Sequence, residues 1–255
     1  MFIDTHTHLY DEQFDGDRET VIQKALDAGV AKMLLPNCDR HTIQPMMDMQ
    51  QRWPEHCFPM MGLHPCYVKE NYREELKIAE EWLDKAAFCA IGEIGLDYYW
   101  DLTFVQEQKE AFNIQMDWAL QHKLPVVIHT RESMAEGIEM VKQKQNGDLK
   151  GVFHCFGGSE EEAKQITDLG LYLGIGGVAT FKKSGLPEVL KSVDLQHIIL
   201  ETDAPYLAPV PYRGKRNESS YIPLIAAIIA DAKQCSVALV EKVTTENARQ
   251  LFKLN

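Results

Sequence analysis

The feature that most constrains this chain is an alternation repeated eight times: a short apolar, β-branched run, then a longer stretch whose apolar residues keep helical spacing. The runs fall at approximately 2–9, 32–37, 58–64, 88–96, 125–129, 151–155, 171–175 and 197–202. Their spacing of about 25 to 35 residues is that of βα units feeding a parallel sheet. Helical patterns lie between them, for example at 17–28, 74–85, 104–122 and 159–169, and 221–254 reads as two closing helices. Ser159 followed by Glu162 has the form of a capping box, and Gly29 and Gly170 stand where helices end. No linker or repeat divides the 255 residues, so one domain spanning 1–255 is expected. A doubly wound open sheet shows the same alternation. The placement of chemically active residues decides between the two.

That placement begins with IDTHTH at the first run. Side chains two apart share a strand face, so Asp4, His6 and His8 point one way while Thr5 and Thr7 point the other. Alone, such an HxH is more often polar surface or strand-end packing than a metal site. Here ligand-type residues recur at the C-terminal ends of further runs: His64 in GLHP, Glu93 in IGEIGLD, His129 in VVIHTRE, His154 in VFHCF and Asp203 in LETDAP. In a (β/α)8 barrel those ends converge on one face, where such enzymes build their sites, so the expected fold is a single α/β TIM barrel with C-terminal closing helices. His41, His56, His122 and His197 fall elsewhere and are expected to be structural or on the surface. His6, His8, Glu93, His129, His154 and Asp203 supply four imidazoles and two carboxylates, enough for two divalent ions if one carboxylate bridges.

Composition narrows the class further. Hydrophobic residues make up 45% of the chain and charged residues 25%, which suits a core-forming globular protein rather than disorder. A net charge of -12 excludes a broad basic face for nucleic acid but not a local phosphate site, where bound metal ions would dominate the field. The start MFIDTHTHLY lacks the basic flank and apolar run of a secretory signal, and no later apolar stretch reaches membrane-spanning length, so a cytoplasmic protein without a membrane role is expected. Six cysteines without a CxxC pair are expected as reduced, mostly buried thiols.

The segments DTHTHL, GLHP, GEIGLDYY, PVVIHTRE, HCFGG, ETDAPYL and YRGKRNE stand in the order and approximate spacing of TatD-like hydrolases. Over nearly its whole length the chain resembles that deoxyribonuclease family, part of the amidohydrolase-like metal-dependent superfamily. The resemblance departs at NESSY, 217–221, where the family often has proline after the residue matching Glu218, which bears on local loop geometry. It implies a magnesium-dependent DNase with metal ligands at His6, His8, Glu93, His129, His154 and Asp203. Four imidazoles by themselves favour zinc or manganese. The expected mechanism has Glu93 bridging two ions, His6, His8 and Asp203 on one, and His129 and His154 on the other. Asp203 would also orient or deprotonate a metal-activated water, and His64 would contact the scissile phosphate or assist the leaving group.

Several further residues have two readings. Glu201 shares the strand face of Asp203 and either orients a ligand or makes a buried ion pair. Arg131, Lys182, Lys183, Arg213, Lys215 and Arg216 follow barrel strands and are either phosphate contacts or solvated loop charges. Tyr98, Tyr99 and Trp100 offer either a base-stacking surface or an aromatic lid. The leading expectation is hydrolysis of DNA, single-stranded and from a 3′ end by resemblance, with no obligatory protein partner. The alternatives are an ester or amide hydrolase such as a D-aminoacyl-tRNA deacylase, and a noncatalytic metal-containing binding protein.

Overall fold

In the computed structural model, which describes residues 1–254, the eight runs become eight parallel strands. These are β1 (Phe2–Asp4), β2 (Val30–Pro36), β3 (Cys57–Met60), β4 (Ile91–Asp97), β5 (Val126–Arg131), β6 (Gly151–Phe153), β7 (Tyr172–Ile175) and β8 (Ile198–Leu200). Nine helices accompany them among the described residues: α1 (Arg18–Asp27), α2 (Arg40–Arg52), α3 (Tyr72–Leu83), α4 (Val105–His122), α5 (Met134–Lys144), α6 (Glu160–Asp168), α7 (Leu186–Ser192), α8 (Ile222–Ala232) and α9 (Val237–Phe252).

The strands pair in sequence order as β1-β2-β3 and β4-β5-β6-β7-β8. Short seams join the two ladders. Met61 bridges to Ile91 on one side, and Gly92 N–H donates to Met61 O at 3.0 Å. On the other, Thr5 N–H donates to Leu200 O (3.0 Å), Asp203 N–H to His6 O (2.9 Å) and His8 N–H to Ala204 O (2.7 Å). The result is the (β/α)8 barrel, and the doubly wound alternative fails because β1 and β8 meet.

Alternation along the strands separates two apolar layers. Ile3, Leu34, Met60, Val127, Val152 and Ile199, one from each of six strands, gather inside the barrel, with Leu251 and Phe252 at the end of α9 packed against them. Met33, Leu35, Ile91, Ile128 and Leu173 face the surrounding helices. The capping box forms: Ser159 Oγ accepts from Glu162 N–H (3.2 Å), and Glu162 Oε2 accepts from Ser159 N–H (2.7 Å). Gly29 (φ 82°) and Gly170 (φ 77°) take the left-handed conformation that ends a helix without the steric cost of a Cβ. No single helix among the described residues is long and apolar enough to cross a membrane. All six cysteines are free, but only Cys57 is fully buried. Contrary to the buried thiols expected, Cys38, Cys66 and Cys155 line a cavity at the mouth of the barrel.

Candidate metal centre

Strand β1 stops at Asp4, earlier than the 2–9 run suggested, because the following backbone bonds singly to both neighbours instead of in a ladder. Thr7 N–H donates to Leu34 O, while His8 N–H reaches Ala204 O. His6 and His8 therefore cross the C-terminal rim rather than lie within the sheet. Asp4 is not part of the donor cluster: its carboxylate accepts from Thr202 Oγ1 (2.6 Å) and Thr202 N–H (2.9 Å). Burial pushes the Asp4 carboxyl up to about 7 despite those bonds.

Glu93 is the hub of the site. Its Oε2 lies 3.1 Å from His6 Nε2 and 3.8 Å from His8 Nε2. Its Oε1 lies 2.8 Å from His129 Nδ1, 3.4 Å from His64 Nε2 and 3.6 Å from His154 Nε2. Asp203 Oδ1 lies 3.4 Å from His8 Nε2 and 3.8 Å from His6 Nε2. These separations suit an ion with ligand bonds of about 2.1 Å, for which tetrahedral neighbours stand about 3.4 Å apart. Three donor groups, His6–His8–Asp203, His6–Glu93–His154 and His64–Glu93–His129, each gather within 4.8 Å. All six expected ligands thus converge on one place, together with His64. His154 Nε2 also gathers with His6 and Glu93, while the Glu93 oxygen it approaches, Oε1, is the one that faces His129. His154 Nδ1 is drawn to Glu201 Oε1 at 2.9 Å, and its ring stacks on that of His6 with centroids 3.6 Å apart.

The partners of the distal nitrogens fix which ring atoms carry lone pairs. Tyr10 OH donates to Pro36 O (2.6 Å), so its oxygen accepts from His8 Nδ1–H (2.8 Å) and leaves His8 Nε2 free to bind a cation. His64 is the opposite case. Its Nδ1 accepts from Cys66 N–H (3.1 Å), which places the proton on Nε2, facing Glu93. His64 is therefore built as a donor toward the cavity.

Charge in the cluster is strongly biased. Burial alone would raise the Glu93 carboxyl, but the imidazoles of His64, His6 and His154 and the hydrogen bond from His129 hold it well below the usual range. Burial opposes a charge on His154, yet Glu201 and Glu93 lift it to about 10. His8 is likewise raised, against burial, by Cys38 and Asp203, and His129 by its bonds to Asp97 and Glu93. Burial lowers His6 and His64. Buried anions thus favour the charged form of three imidazoles, as in a site whose carboxylates need positive charge. The donor set, its spacing and this charge demand all fit divalent metal ions.

Two glycines make the packing possible. Gly95 (φ 139°) sits where an added Cβ would lie 2.1 Å from His129 O, so β4 can press against β5 between Glu93 and Asp97. Gly174 leaves room for Glu201, whose Oε2 would be 2.3 Å from a Cβ there. Asp203 holds a left-handed φ of 59° in a loop pinned by Asn217, whose Nδ2 donates to both Thr202 O and Tyr206 O at 2.7 Å. After Glu218, where the family often has proline, Ser220 Oγ donates to Glu218 Oε1 (2.8 Å), and Pro223 stands in the first turn of α8.

Three residues that carry the site were given no role by the sequence. Asp97 shares the face of Glu93 on β4, four residues on, and takes His129 Nε2–H on Oδ2 at 2.9 Å; its carboxyl is held at about 2 against burial. Strand periodicity alone could have flagged it. Gln108 and Gln115 lie seven residues apart on the buried face of α4, where apolar residues are the rule. Gln108 accepts from Asp97 N–H (2.9 Å) and donates to Asp97 O (3.2 Å); Gln115 does the same for Leu63, at 2.7 and 3.2 Å.

The basic residues divide. Arg131 lines the cavity of about 800 Å³ over the donor cluster. Arg213 and Lys215 are exposed and outside that lining, packed over the rings of Phe181 and Tyr212; Lys182 and Lys183 are exposed loop charges. Arg216 already has partners within the protein. Its guanidinium grips Asp17 with bonds of 2.6 and 2.9 Å, donates to Gln13 O and lies over Phe14, leaving it engaged on the protein itself. His41, His56, His122 and His197 lie away from the cavity, as expected.

A carboxylate-bridged imidazole cluster at the C-terminal mouth of a (β/α)8 barrel is the architecture of a metal-dependent hydrolase. The chain belongs to the TatD related DNase family, whose model matches residues 3–253. It is 37% identical to the uncharacterized metal-dependent hydrolase YabD of Bacillus subtilis, with all of both chains covered. It is 32% identical to the 3'-5' ssDNA/RNA exonuclease TatD of Edwardsiella piscicida, with 99% of each covered. The crystal structure of YJJV, a TatD homolog from Escherichia coli K12, superimposes with a TM-score of 0.94 at 26% identity, covering 100% of this chain and 98% of that one.

Proposed function

We propose that this chain is a metal-dependent deoxyribonuclease that hydrolyses phosphodiester bonds of single-stranded DNA, releasing nucleotides from a 3′ end. The observation that carries the reading is the double-faced Glu93 carboxylate, one oxygen turned to His6 and His8 and the other to His129 and His154. Such a hub suits two divalent ions, with His6, His8 and Asp203 on one side and His129 and His154 on the other. When bound, two such ions provide Lewis acidity for a phosphoryl centre and a water whose pKa falls to about 7. Magnesium is the working ion by family; the imidazole-rich set also accepts manganese or zinc.

The chain's own groups supply the rest. Asp203, held ionised against burial by His8, His154 and His6, accepts the proton of the attacking water. His64, neutral and with its proton on Nε2, donates a hydrogen bond to a phosphate oxygen. Glu201 keeps His154 oriented, and Arg131 meets the anionic chain. A protein in one compartment with DNA follows from this reading; we place it in the cytoplasm. The relative named as an ssDNA/RNA exonuclease supports the substrate class.

The test gives metal-depleted protein 5′-labelled single-stranded DNA, duplex DNA, RNA and aminoacyl-tRNA, with magnesium, manganese or zinc restored singly. A ladder shortening from the 3′ end of single-stranded DNA is expected. No DNA turnover with any metal, alongside clear ester cleavage of aminoacyl-tRNA, would overturn the proposal.

A further inference from the structure

At the mouth of the metal cavity, Trp100 is 68% exposed and Tyr99 50% exposed, an unusual display for large aromatic rings. They are not on a loose flap. Asp97 Oδ1 accepts from Tyr99 N–H (3.0 Å) and Trp100 N–H (3.1 Å), while its Oδ2 takes His129 Nε2–H (2.9 Å). One carboxylate therefore ties the aromatic turn to the donor cluster at fixed separation. The next residue, Asp101, caps Thr103 N–H (2.9 Å) and pairs with Lys69 at 2.7 Å, which braces the far side of the turn.

The neighbouring charge says what such a platform receives. Arg131 is the one lysine or arginine lining the cavity in a chain of net charge -12. It makes no salt bridge among the described residues; instead its guanidinium lies over the Tyr99 ring (3.7 Å to the centroid) and 5.1 Å from that of Trp100. A cation held by rings and left without a carboxylate is kept for an anion from outside. Beside it, the open face of Trp100 suits a flat, unstacked ring.

We infer that Trp100 and Arg131 form a nucleotide subsite flanking the scissile bond, with one base stacked on Trp100 and its phosphate against Arg131. The inference rests on the nuclease reading and deepens it. A single strand suits it best, since an interior base of a duplex has both faces stacked and must leave the stack to reach Trp100. Recognition is independent of base identity, because stacking uses the ring face and not its edge. Asp97 is then a positioning residue that holds subsite and donor cluster in register.

The test uses a series of octathymidylates in which each of the last three nucleotides in turn lacks its base. Tryptophan fluorescence and anisotropy are read on metal-free protein, and KM on the magnesium-loaded enzyme. Loss of one particular base is expected to abolish quenching and to weaken binding roughly ten- to hundredfold. Trp100→Ala binds the whole series alike, and Trp100→Phe restores part of the preference. Arg131→Ala weakens every member and reduces the salt slope by about 0.7, one single-strand phosphate. If the wild type hydrolyses DNA but shows no quenching, or Trp100→Ala keeps the base preference, the subsite is wrong while the nuclease reading stands. If the wild type neither binds nor cleaves any member, both fall.

Discussion

Replacing Gln115 with leucine preserves its approximate volume and removes its two bonds to the Leu63 backbone, one residue before His64. Gln115 is fully buried and Leu63 is 1% exposed, so water cannot replace the lost partner. Both the N–H and the C=O of Leu63 are left without one, because Gln115 is their hydrogen-bond partner on each side. An orphaned buried polar group costs about 1–3 kcal/mol. Two such groups, less about 1 kcal/mol regained by the apolar replacement, put the loss near 3 kcal/mol, a large share of a typical stability of about 5–15 kcal/mol. Guanidinium unfolding at fixed pH measures it. The released loop also lets His64 drift, so kcat should fall in protein that is still folded. A loss under about 0.5 kcal/mol for Gln115→Leu, with kcat unchanged, would refute the view that α4 holds this rim loop in place.

Asp203→Asn should leave the fold intact, since asparagine tolerates the left-handed backbone there, while turnover falls by at least about a hundredfold; circular dichroism and single-turnover rates check both parts. Arg216→Ala should cost about 1 kcal/mol or less, because the pair with Asp17 is partly exposed, and should leave KM for DNA unchanged; a raised KM would return Arg216 to the substrate site. Metal loading should release protons. His154 is lifted to about 10 in the metal-free cluster and so carries a proton at pH 7, and His8 and His129 are raised as well, whereas ligation requires the neutral form. Metal affinity therefore falls as pH drops and rises as it increases from 6 to 8. Calorimetry in buffers of differing ionisation enthalpy measures the release, and an enthalpy independent of buffer would contradict it.

Much of this architecture is legible in the sequence because its causes are local. Strand alternation with glycine-ended helices specifies βα units, and the histidine and carboxylate at successive strand ends specify their common face. His6 and His8 are the clearest case, weak as a pair and meaningful once Glu93, His129, His154 and Asp203 stand at equivalent positions. What escapes the sequence depends on contacts between distant segments. That Gln108 serves Asp97 and Gln115 serves Leu63 follows from how α4 lies across the barrel, which no local pattern encodes. Arg216 illustrates the converse: its RGKR setting suggests an anion site, but Asp17 at the start of α1, 199 residues away, occupies its guanidinium. Likewise, the orientation of His154 depends on Glu201, just past the end of β8.

The central claim is that a Glu93-bridged cluster binds two divalent ions, and metal content measures it most directly. Protein stripped with chelator, equilibrated with manganese and freed of excess should retain two ions per chain by elemental analysis, and Glu93→Gln should retain at most one. Wild-type protein that retains none under the same conditions, or a Glu93→Gln variant that still holds two, would contradict the account.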